Sequence, residues 1–138
     1  MSYMNVIASA FRQDKAPASN AMNTVESVRF LEEVTGQHVE MVLGSWKEEG
    51  QQEAALEASM MVAVHPANIH QVACYFLQDL LQDAILVIDP TTDMASLWSL
   101  DGGYVVNTEI GKWQQIDREE ALQSECYTLI GNSFWVAK

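Results

Sequence analysis

His70 and Cys74 lie four residues apart in a segment of helical period, which sets an imidazole and a thiol on one face. That pair can be a nucleophile with its base, or two ligands of a metal. A thiol nucleophile gains from a nearby helix N-terminus, and Cys74 falls mid-helix. A zinc site asks for three or four ligands, and no second His/Cys pair accompanies this one. Asp89 closes an apolar run, where α/β enzymes often hold ligands. Asp79, Asp83 and Asp93 bracket the same run and read equally as turn and helix acids. No phosphate loop, dinucleotide fingerprint, nucleophile elbow or zinc-protease helix is present. No metal or cofactor is expected. His70, Cys74 and Asp89 are the residues to watch if the chain carries a small-molecule site.

The charge points elsewhere. Nineteen acids against seven bases leave a net charge of −12, and no Lys or Arg stands between Lys47 and Lys112. Such a surface repels phosphate, which argues against direct nucleic-acid binding, and it attracts a basic protein. Trp46 borders the acidic turn and Trp113 lies between Lys112 and Gln114, each near the end of an expected strand. Tryptophan among polar neighbours is a common interface anchor. The expected binding surface is therefore Trp46, Glu48, Glu49, Glu53, Glu57 and Trp113. On this reading the chain is a small acidic, non-catalytic accessory protein of the inhibitor, immunity or anti-defence type. Its carboxylates would stand in for phosphates on a basic partner. The alternative is a small-molecule-binding protein or small enzyme with its site near His70, Cys74 and Asp89.

The elements that must position these residues follow from periodicity. Ile69, Val72, Ala73, Phe76, Leu77 and Leu80 form one helical stripe, so a central helix is expected over about 67–82. Ala84–Ile88 has no alternation and reads as a strand covered on both sides. A first helix opens at Asn23 or Thr24, with Glu26 three residues beyond Asn23, and stops at Gly36. Val25, Val28, Leu31 and Val34 are its buried stripe. Residues 38–46 and 56–64 alternate and pair as a hairpin, with Val39, Met41 and Leu43 on one face of the first strand. Asp101-Gly102-Gly103 turns a second hairpin, and Asp117 with Glu120 caps a short third helix. Residues 1–22 read as a weakly ordered arm, leaving 23–138 as one domain. The expected class is α+β: a mainly antiparallel curved sheet of about six or seven strands, with the central helix and one or two others packed on one face. Exposed edges and the apolar arm allow a homodimer. Residues 1–11 lack the charged and long apolar regions of a secretory leader, and no run reaches the roughly 18 apolar residues of a membrane helix, so the expected location is cytoplasmic.

Overall fold

The computed structural model describes residues 2–46 and 55–138. Eight antiparallel strands close into a barrel: β1 (Met4–Ala8), β2 (Glu40–Trp46), β3 (Ala55–Val64), β4 (Ile85–Asp89), β5 (Met94–Asp101), β6 (Tyr104–Ile116), β7 (Cys126–Ile130) and β8 (Ser133–Ala137). Around the barrel the order is β1-β3-β2-β7-β8-β6-β5-β4, and β4 pairs back onto β1. Among the described residues three helices accompany it: α1 (Pro17–Thr35), α2 (Ile69–Cys74) and α3 (Arg118–Gln123). A 3₁₀ turn, Pro66–Asn68, leads into α2, and a π-helical turn, Tyr75–Asp79, extends it. Among the described residues no helix is long and apolar enough to cross a membrane.

This overturns the expected architecture. The molecule is not a sheet of six or seven strands with a central helix and its companions on one face, but a closed barrel with few helices. The closing piece is β1, from the stretch read as an arm. Met4–Ala8 pairs with Met60–Val64 on one edge, and Asn5–Ile7 with Leu86–Ile88 on the other. Ladder hydrogen bonds on both edges hold a strand too short to show a period in sequence.

The two sides of the wall have different partners. Outside, Val6, Ala8, Met60, Val62, Val64, Ile85 and Val87 pack against helical side chains, with Phe76, Val72 and Leu77 at the centre. Of the stripe read from the sequence, Ile69, Val72, Ala73, Phe76 and Leu77 are buried and Leu80 is half-buried. The one helix expected over about 67–82 is instead the 3₁₀ turn, α2 and the π turn, after which Leu80 donates its N–H to the Tyr75 carbonyl, 3.1 Å away. Inside, a second cluster contains no helical residue. Ile7, Val42, Met61, Ile88, Ala95, Trp113, Ile130 and Ala137 supply one member from each of the eight strands, which identifies it as the barrel interior.

One local expectation shifts. Helix α1 begins at Pro17, six residues before Asn23, because proline is favoured in the first helical turn. Asn20 faces back instead: its Oδ1 accepts from the Arg12 N–H and its Nδ2 donates to the Arg12 carbonyl, both at 2.9 Å. Val25 consequently points to solvent. In β2 the structure assigns the two faces that alternation left open. Met41 and Leu43 are exposed on the outer wall, whereas Val42 is buried within. Phe76 is fully buried under the π turn, so Phe76→Ala should cost about 3–5 kcal/mol. Urea denaturation measures it, and a loss under about 1 kcal/mol would contradict this packing.

Candidate active site

Directly opposite residues on antiparallel strands share a face. At one level of the barrel, Glu57 on β3 faces Gly44 on β2, Gly44 faces Thr128 on β7, Thr128 faces Trp135 on β8, and Trp135 faces Gln115 on β6. Gly44 lies two residues from interior Val42, so the row belongs to the interior. Four of its members, Glu57, Gly44, Thr128 and Trp135, line a cavity of about 400 Å³. The size falls in the roughly 300–1,000 Å³ range of small-molecule sites. Ile7, Leu86, Leu97 and Trp113 give it apolar walls. The indoles of Trp113 and Trp135 lie nearly parallel, 10° apart in plane with centroids 6.0 Å apart. Ser59 and Thr128 add hydroxyls that are themselves buried.

The rim joins two segments distant in sequence, 11–14 and 82–84. Arg12 ties them. Its Nε donates to Asp14 at 3.0 Å, and its Nη1 donates to the Leu81 carbonyl. Gln82 Nε2 donates to the Phe11 carbonyl at 3.1 Å. Leu81 takes a positive φ of 57°, unusual for a branched side chain, where the chain turns from the π-helical turn toward β4. The Arg12 hydrogen bond and charge hold the Asp14 carboxyl below its ordinary pKa. At the other side of the mouth, Cys126 pairs with Trp46 and also lines the cavity. Burial, and then the charge of Glu125, push its thiol pKa up.

The residues singled out from the sequence part company here. Glu57 and Trp113, expected on a partner surface, line the cavity. Trp46 ends β2, while Glu48, Glu49 and Glu53 lie outside the described residues. His70 Nε2 and Cys74 Sγ are 3.5 Å apart on α2, outside the barrel wall. Asp89 ends β4, its Oδ1 accepting from the Thr91 hydroxyl at 2.6 Å and the Thr91 N–H at 2.9 Å in the turn that follows, which lower its pKa. None of these three lines the cavity. Among the described residues no three His, Cys, Asp or Glu side chains gather as a metal site. Sequence reading missed Gly44, Ser59, Thr128, Trp135 and Arg12. Strand alternation was the available signal, since Glu57 and Ser59 share the face opposite Met60.

Fold and cavity together define a small antiparallel barrel with a ligand-sized, partly polar chamber. The model of the S-adenosylmethionine lyase family matches residues 6–138, and the chain belongs to that family. No curated protein matches it. The family overturns the non-catalytic accessory protein of the inhibitor or immunity type expected from the charge, and favours the alternative of a small enzyme. The raised pKa of Cys126 has a direct consequence. Its alkylation by iodoacetamide should be slow at neutral pH and still climbing above about pH 8.5, the ordinary thiol value. Mass spectrometry of the modified peptide follows it, and a rate that levels off near pH 7 would contradict the environment described.

Proposed function

We propose that the protein is an enzyme that cleaves S-adenosylmethionine at a carbon–sulfur bond without water, and that the barrel cavity is its active site. The observation that carries this reading is the family match over residues 6–138. The cavity agrees with it in size and chemistry: a carboxylate, Glu57, faces the same chamber as two indoles and apolar walls. The ligand carries a sulfonium and an ammonium against one carboxylate, so the net charge of −12 favours its approach. The cytoplasmic location expected from the sequence fits a reaction on this metabolite.

Charge decides where Glu57 acts. As the bond breaks, its electron pair goes to sulfur and the leaving group departs as a neutral thioether, so no acid is needed to release it. The carbon is satisfied from within the substrate, by its own carboxylate or by loss of a neighbouring proton. The sulfonium charge is thus lost on the way to the transition state. A carboxylate held against that sulfur would stabilise the ground state more than the transition state and slow the reaction. Glu57 therefore belongs with the α-ammonium, whose charge persists, and orients the amino-acid arm. The apolar side chains Ile7, Leu86 and Leu97 and the Trp113 indole surround the sulfonium and keep water from it.

Chromatography of S-adenosylmethionine incubated with the purified protein tests the reaction. Turnover to a thioether nucleoside is expected, and a stable substrate at high enzyme concentration overturns the reading. Glu57→Gln should lower kcat/KM by about 10–100-fold, chiefly through KM, because it removes a charge-assisted hydrogen bond to an unchanging charge.

A further inference from the structure

α2 carries a pair of side chains that the chamber does not use. Cys74 Sγ and His70 Nε2 stand 3.5 Å apart, one helical turn from each other, and neither residue lines the cavity. That separation has a chemical meaning. A zinc ion bonds a thiolate sulfur at about 2.3 Å and an imidazole nitrogen at about 2.0–2.1 Å, and at the tetrahedral angle those two atoms are about 3.5–3.6 Å apart. The pair already stands at the bite of such an ion. The backbone that carries it is held from below. Val72 and Ala73 lie between the two residues and are fully buried, and Phe76 and Leu77 follow in the same outer core. The pair itself is open to water: His70 is exposed and Cys74 half-buried. α2 is only six residues long, shorter than a helix that holds itself together in water, and after Cys74 it gives way to the π turn. A bridge from residue 70 to residue 74 acts on the last turn before that change.

We infer that His70 and Cys74 form a two-residue binding site for a divalent cation of the zinc kind, with water in the remaining coordination positions. The ion takes Cys74 as its thiolate, whose proton leaves to solvent, and the Nε2 lone pair of neutral His70, whose ring proton stays on Nδ1. One hydrogen bond is exchanged for two metal–ligand bonds, which staple the last turn of α2. Thiolate and imidazole suit zinc and its neighbours, whereas magnesium and calcium take oxygen ligands. Two protein ligands, where a structural zinc site has four, give a moderate affinity and a metal that exchanges. The site is independent of the reaction proposed for the cavity.

Cobalt(II) is the probe, because its bond to a thiolate gives a charge-transfer band in the near ultraviolet that an oxygen-ligated ion lacks. Titration of the untagged, reduced protein should show this band saturating at one ion per chain, and excess zinc should remove it. Cys74→Ser should abolish the band, and His70→Gln should weaken binding about tenfold or more. Neither side chain belongs to the buried core, so circular dichroism of both variants should match wild type. A second measurement needs no variant. Bound zinc should protect Cys74 from iodoacetamide and leave Cys126 as reactive as before, read by mass spectrometry of the two peptides. Zinc at about a hundred times its dissociation constant should also raise the thermal midpoint by about 5 °C, and magnesium should not. No band at millimolar cobalt overturns the inference. A band that survives Cys74→Ser belongs to Cys126 and overturns it, as does His70→Gln that binds as tightly as wild type. Equal labelling of Cys74 with and without zinc overturns it whatever the variants do.

Discussion

The ladder hydrogen bonds along both edges of Met4–Ala8 are what the rest of the structure depends on. Without them β3 and β4 would each present an open edge, and the sheet would have two faces but no interior. With them there is an inside that needs filling and an outside that needs covering. β1 serves both. Val6 and Ala8 join the outer core under the helices, while Ile7 joins the inner cluster. An eight-stranded barrel is just wide enough for side chains to fill it or for one small ligand to occupy it. This one does both: Ile7 and Trp113 belong to the packed inner cluster and also line the chamber.

Much of the secondary structure was legible and the topology was not, for a physical reason. The α2 stripe, the β2–β3 and β5–β6 hairpins, and the Asp117 cap, whose Oδ1 accepts from the Glu120 N–H at 2.8 Å, are local and were read correctly. Closure is non-local. It joins residues 4–8 to residues 60–64 and 86–88, and nothing within five residues of sequence records that. Which strand face is buried was not legible for a related reason. In an open sheet the more apolar face is the buried one, which would favour the side of Met41 and Leu43. In the closed barrel, whose outer wall is only partly covered by helices, they face solvent, and Gly44 looks inward.

The site was hidden for a different reason again. The sequence advertised its reactive side chains, His70, Cys74 and Asp89, and these lie outside the chamber. Beside Glu57, which was read as a surface acid, the chamber owes much of its wall to residues with little chemical signature: a glycine, a serine, a threonine and two indoles. Such a set suits a substrate that is already activated. On the proposed reading the sulfonium is a ready leaving group, and the protein's task would be to hold two ends of one molecule and exclude water. The acidity, read as a lure for a basic protein, serves equally well as a lure for a small cation.

The pairing of β2 with β7 has a consequence for the order in which the molecule comes into being. Residues 43–46 wait for residues 126–129, which follow them only after some eighty further residues. Contacts of such separation are slow to form, since a long loop must close before any bond rewards it. The α2 helix and the β2–β3 hairpin join residues close in sequence, whereas Gly44 gains its neighbour Thr128 only once that long loop has closed. The chamber thus waits on a distant pairing, and a half-folded chain without it lacks the wall that Thr128 supplies.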